Sequence, residues 1–148
     1  MKKHLFLFFL FPSFVFAQEP KKGDNTIITT GIDFRHAVNE LMDEGYTIEK
    51  IDSNFKTART EFINCPLKTG KASMVNISIS IRIKDSSCII TGRWYSELFL
   101  ANGFGASKPP GPTDIYPIVF TWGANKLTFL RMDHYAKSLK GEISYAKK

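Results

Sequence analysis

The clearest pattern in the chain is a strict alternation. Val75, Ile77, Ile79, Ile81 and Ile83 alternate with Asn76, Ser78, Ser80, Arg82 and Lys84. Period two with one apolar side predicts a strand over Val75 to Ile83 with one buried face and one wet face. Lys84-Asp85-Ser86-Ser87 predicts a turn, and Cys88 to Tyr95 the next strand. Upstream, Phe34, Ala37, Val38, Leu41 and Met42 recur at helical spacing. Thr30 and Asp33 form a Thr-x-x-Asp box ahead of that run, and Gly45 follows it as a left-handed stop. Thr26 to Thr30 is a β-branched run, Tyr46 to Ile51 alternates imperfectly, and Thr57 to Asn64 reads as a further strand. Near the C-terminus Phe129, Met132, Ala136 and Leu139 predict a second helix, with Asn125 as N-cap and Gly141 as C-cap. Glu142 to Ala146 predicts a last strand.

The resulting order is β-α-β-β-β-β-α-β. Strands in a run bracketed by single helices imply an α+β domain: an antiparallel sheet of four to six strands with both helices on one face. The register is testable. A turn centred on Asp85-Ser86 sets Ile83 opposite Cys88, Ile81 opposite Ile90, Ile79 opposite Gly92 and Ile77 opposite Trp94. A loop bringing Cys65 opposite Met74 sets Phe62 against Ile77, Thr60 against Ile79 and Ala58 against Ile81. All three strands then share one apolar side, and a one-residue slip would expose it. Gly92 and Ala58 are small enough to let a helix lie close. Cys65 and Cys88 fall at opposite ends of the central strand, roughly 30 Å apart at ~3.3 Å per residue. A disulfide needs Cα atoms within about 7 Å, so both thiols are expected free and mostly buried.

The ends of the chain place it. Lys2 and Lys3, the apolar stretch Leu5 to Phe16 and the Val15-Phe16-Ala17 site read as a secretory signal, residues 1–17, cut before Gln18. The competing reading is an uncleaved anchor, but a dozen residues are short for a ~30 Å hydrocarbon core. Removing the signal takes two lysines with it, leaving 131 of the 148 residues and lowering the formal charge from +6 to +4. That is enough for one domain, over 26–148, and too weakly basic to imply nucleic acid. Residues 18–25 read as a flexible lead-in. Six of the 13 phenylalanines lie within the signal. From 97 to 117 the pattern fails amid glycines and prolines, predicting a long loop that carries Phe104.

Phe34 to Glu61 (FRHAVNELMDEGYTIEKIDSNFKTARTE) joins an amphipathic helix, a Gly-aromatic pair, a strand, an Asp-led turn and a Thr-x-x-Thr strand. This resembles TBP-like or helix-grip domains of bacterial envelope proteins, including those of the outer-membrane-assembly lipoprotein C. The resemblance implies a packing motif and a mostly non-catalytic role; it carries no functional residue. The lipoprotein's lipidated cysteine has no counterpart here.

Catalytic and metal chemistry find little to work with. His36 and His134 lack zinc-type spacing with each other or with the cysteines. There is no G-x-S-x-G elbow. Gly103-Phe104-Gly105-Ala106-Ser107-Lys108 lacks the Walker spacing, and the Asn76-Ile77-Ser78 sequon falls within a strand. No metal, cofactor or catalytic residue is expected, and no membrane span. The wet face is the candidate surface. It gathers Arg59, Arg82, Arg93 and Tyr95 among Thr57, Ser78, Ser80 and Thr91, with Glu61 as the nearby acid. Arginine and tyrosine suit an anionic or protein partner. The expected function is an exported, non-enzymatic binding or scaffold domain of the bacterial envelope, its partner another envelope protein. The alternative is a small secreted inhibitor or immunity-type protein acting through the 97–117 loop.

Overall fold

The computed structural model describes residues 18–66, 73–98 and 115–148. Two helices pack against one antiparallel sheet, the α+β arrangement expected. The strands are β1 (Thr26–Thr30), β2 (Ile48–Asp52), β3 (Thr57–Thr60), β4 (Ile63–Pro66), β5 (Ser73–Lys84), β6 (Ser87–Leu98), β7 (Tyr116–Pro117) and β8 (Ile143–Ala146). Helix α1 covers Phe34–Asp43 and α2 covers Ala124–Ser138. The sheet runs β2-β3-β5-β6-β1-β8, with β4 also beside β5 and β7 beside β6.

The β5–β6 hairpin is the spine. Its register sets Ile83 against Cys88, Ile81 against Ile90, Ile79 against Gly92 and Ile77 against Trp94, as the alternation requires. Asp85 and Ser86 take φ of 50° and 60°, the two left-handed residues of a type I′ turn whose twist matches the strands. Ile77, Ile79, Ile81, Cys88 and Ile90 are buried together with Ala37, Val38 and Leu41 of α1 and Phe129, Met132 and Tyr135 of α2. The bare surface at Gly92 is filled first by Ile118, which follows β7, and then by Met132 of α2. A Cβ there would lie 2.5 Å from Ile118 Cδ1 and 3.2 Å from Met132 Sδ. The two helices join at the Tyr135 hydroxyl, which donates to the Ala37 carbonyl at 2.8 Å.

Several boundaries differ from the sequence reading. The expected strand Thr57 to Asn64 is two strands. β3 pairs Ala58 with Ile81, as expected, but β4 pairs Ile63 with Ile77 and Cys65 with Val75. One extra residue on the β3–β4 side breaks the ladder, and Thr60 closes the gap. Its Oγ1 accepts from the Ile79 amide at 3.0 Å, and its carbonyl accepts from the Ser78 hydroxyl at 2.7 Å. The slip turns Phe62 away from Ile77 and onto the opposite face of the sheet. The N-cap of α1 is Asp33, whose Oδ1 accepts from the His36 amide, rather than Thr30. At its other end the Tyr46 amide donates to the Leu41 carbonyl and the Gly45 amide to that of Met42, a Schellman closure with Gly45 at φ 85°. α2 starts after Gly123, and Asn125 instead accepts from Trp94 Nε1 at 2.8 Å. At its end Lys140, not Gly141, takes the left-handed position.

The segment expected to be a flexible lead-in makes backbone bonds to the domain. The Gly23 amide donates to the Phe120 carbonyl and the Asn25 amide to that of Ala146. The long loop is shorter than its expected span, because Glu97 and Leu98 belong to β6, and Tyr116–Pro117 pairs with Arg93 and Trp94. Its remainder with Phe104, and the signal segment 1–17, lie outside the described residues. No helix among the described residues is long and apolar enough to cross a membrane.

Candidate functional site: the outer face of the sheet

Both helices occupy one side of the sheet, so β5 presents Asn76, Ser78, Ser80 and Arg82 on the other. Strand pairing assembles that face in rows. Asp52 pairs with Thr57, Thr57 with Arg82, and Arg82 with Ile89. One row along, Lys50 pairs with Arg59, Arg59 with Ser80, and Ser80 with Thr91. These eight side chains line an open hollow of about 410 Å³. Thr57, Ser80 and Thr91 give it hydroxyls, Ile89 an apolar patch, and its long arms, Lys50, Arg59 and Arg82, are cationic.

The charges in the hollow are not equivalent. Arg59 is committed: its Nε and Nη2 reach Glu49 Oε2 and Oε1 at 2.8 and 3.0 Å. Glu49, not Glu61, is therefore its partner. Asp52 is turned to its own backbone, its Oδ1 accepting from the Asn54 and Phe55 amides at 3.0 Å each. Arg82 and Lys50 are exposed, and neither has an acidic partner among the described residues.

A second cluster lies farther along β5. Phe62, brought onto this face by the one-residue slip, meets Tyr95 edge-on at a centroid distance of 5.0 Å. The Arg93 guanidinium lies over the Phe62 ring at 5.5 Å, a cation–π contact. The structure thus brings Arg59 with Arg82, and Arg93 with Tyr95, in two neighbouring groups. Reading the sequence missed Glu49 and Lys50, which a bulge in β2 places side by side, and Phe62. The adjacent apolar pair Phe62-Ile63 was the available signal, since one strand face cannot hold both.

His134 Nε2 lies 3.3 Å from Glu44 Oε2 on the surface, and His36 is exposed. Cys65 and Cys88 are free and buried, and burial pushes the Cys88 thiol up to about 12. Buried Asp133 accepts from the Tyr145 hydroxyl at 2.7 Å and pairs with Lys137 at 2.6 Å. Burial and that bond to Asp133 raise the tyrosine's pKa. Among the described residues no three His, Cys, Asp or Glu side chains converge as a metal site would require. A second hollow, about 550 Å³, lies at the end of the sheet between Gly31, Asp33, Lys56 and Asp85, and its Asp33 carboxylate is engaged in capping α1. No protein-family model matches the chain, and no curated protein matches its sequence.

Proposed function

We propose that this protein is an exported, non-enzymatic binding domain of the bacterial envelope that holds a partner protein on the outer face of its sheet. The signal-like residues 1–17 support export, with cleavage after Ala17. The element order around α1 is that of the helix-grip domains the chain resembles, which are mostly non-catalytic. The observation that carries the reading is this face, on which neither helix packs and where Ser78 and Asn76 are buried while Arg82 and Lys50 are exposed. It sets those two cations around a hollow lined by Thr57, Ser80, Ile89 and Thr91, beside an arginine–aromatic cluster of Arg93, Phe62 and Tyr95. Arginine and aromatic side chains are enriched where partners dock.

The test is capture from the envelope fraction by the purified exported protein and by Arg82→Ala with Arg93→Ala. Exposed pairs and surface cation–π contacts contribute only about 0–1 kcal/mol each, so the melting temperature should stay within a few degrees while capture is lost. Equal capture by both proteins refutes the assignment of the face.

A further inference from the structure

We infer that the outer face recognises an extended acidic peptide segment, one that carries an apolar side chain four residues from its carboxylates. The inference rests on the reading of this face as the binding surface and specifies the chemistry of its partner.

Charge supplies the first element. Within the hollow, Glu49 neutralises Arg59 and the Asp52 carboxylate is bonded to two amides of its own turn. Arg82 and Lys50 are left as the cations without an acidic partner among the described residues, so the complement to this end is a carboxylate pair. Chain geometry supplies the second. The hollow is centred on the Ser80 and Arg82 rows, and the aromatic cluster on the Asn76 and Ser78 rows, since Asn76 pairs with Tyr95 and Ser78 with Arg93. The centres are four residues of β5 apart, about 13 Å at ~3.3 Å per residue. A ligand in extended conformation lying along β5 has the same rise. Its residues i and i+4 point to the same side, so one face of such a chain can reach both groups.

The aromatic cluster also bears on the class of ligand. Sugar-binding faces offer an open aromatic plate. At Phe62 one ring face is taken by Arg93 at 5.5 Å, and Tyr95 packs against it edge-on at 5.0 Å. What is presented is a half-buried apolar edge beside a guanidinium, which suits an aliphatic or aromatic side chain flanked by a backbone carbonyl or carboxylate.

Fluorescence anisotropy with labelled eight-residue peptides tests this on the purified protein. The reference peptide carries two acidic residues at alternate positions, on one side of an extended chain, and a leucine four positions after the second. Replacing the acids by their amides should weaken binding about 10-fold, as loss of two exposed charge contacts implies. Raising salt should weaken the acidic peptide and leave the amide peptide nearly unaffected. Moving the leucine to the third position, on the opposite side of an extended chain, should weaken binding by a similar factor. Arg82→Ala should erase the difference between acid and amide peptides. Phe62→Leu, which keeps an apolar side chain in the fold, should erase the preference for leucine spacing. Equal affinity for acid and amide peptides overturns the inference, as does indifference to spacing, or absence of peptide binding up to about 1 mM. Binding of polygalacturonate in place of the peptides likewise overturns it in favour of an acidic glycan. If the peptides fail while Arg82→Ala with Arg93→Ala still abolishes capture, the face stands and its ligand chemistry is wrong. If capture is also unchanged, the face itself is misassigned.

Discussion

Two glycines that look alike in the sequence, each just past a helix, should respond to substitution for different reasons. Gly45 has φ 85° and nothing within 4 Å of where a Cβ would stand. An alanine there meets only the left-handed backbone penalty, about 1–2 kcal/mol, and asparagine, which visits that region readily, should recover much of it. Gly141 is outside the left-handed region, and Lys140 at φ 59° has already made the turn. Its Cβ would lie 2.3 Å from the Thr30 carbonyl oxygen and 2.5 Å from Thr29 Cγ2. The nearest atom is backbone in β1, whose Thr30 amide is itself bonded to the Glu142 carbonyl. Relief requires the end of α2 and the edge of β1 to part by roughly 1 Å, and overpacking of this kind costs about 1–3 kcal/mol. Set against it is the smaller unfolded-state entropy of alanine, about 0.4–1 kcal/mol. The net expectation is about 1.3 kcal/mol, or roughly 4–6 °C in melting temperature for a chain of this length. Urea unfolding followed by circular dichroism on the alanine and asparagine variants at both sites separates the mechanisms. Gly45→Asn should be milder than Gly45→Ala, and Gly141→Asn no better than Gly141→Ala. Recovery by Gly141→Asn would refute the steric argument and restore Gly141 as a cap.

Thr29 Oγ1 is buried without a hydrogen-bond partner among the described residues, so Thr29→Val, which keeps the branched shape, should stabilise by about 1 kcal/mol in the same assay. Ser86→Gly relieves one of two left-handed residues in the β5–β6 turn and should add a further ~0.5–1 kcal/mol. Burial pushes both the Cys88 thiol and the Tyr46 hydroxyl up to about 12, so the folded state holds protons the unfolded chain releases. Stability is then fully present below pH 9 and falls from about 9 to 12, by up to ~1.4 kcal/mol per pH unit for each group. Cys88→Ala should flatten the portion between pH 9 and 10, and an unchanged slope would contradict the burial argument. Asp133→Ala removes the acceptor of the Tyr145 hydroxyl and the partner of Lys137 and should cost about 1.5–3 kcal/mol, whereas Lys137→Ala should cost less because that side chain is exposed.

Where physics acts within a few residues, the chain was readable. The β5–β6 register follows from Val75, four alternating isoleucines and a polar turn, and α1 from five apolar positions at helical spacing. The space above Gly92 was expected to admit a helix, and Ile118 shares it with Met132 of α2. The ends of helices were harder, because several residues can cap and only the path of the chain selects one. Thr30 and Asp33 both offer an oxygen, and the turn at Gly31, φ 75°, leaves Asp33 beside the His36 amide. Asn125 has the chemistry of a cap, but the Trp94 indole needs an acceptor inside the domain and takes it. Gly141 carries the signal of a stop, and what fixes glycine there is the Thr30 carbonyl, a contact more than a hundred residues away in sequence.

The outer face was legible in composition and not in arrangement, and the reason lies in two irregularities. A strand in perfect register would have kept Phe62 in the core beside Ile77 and set Glu49 and Lys50 on opposite faces. The extra residue ahead of β4 moves Phe62 outward, where Arg93 and Tyr95 receive it. The register shift in β2, between Ile48 and Lys50, lets Ile48 and Ile51 share the inner side while Glu49 reaches Arg59 and Lys50 reaches the hollow. Bulges cost ladder bonds, and here the Thr60 hydroxyl and the Ser78 hydroxyl replace those lost near β4. The register shift in β2 therefore separates two kinds of arginine. Arg59 is held by an acid of its own sheet, and Arg82, on a regular stretch of β5, is exposed without one among the described residues. With Arg59 bonded to Glu49, Arg82 rather than Arg59 is the residue on which the binding reading depends.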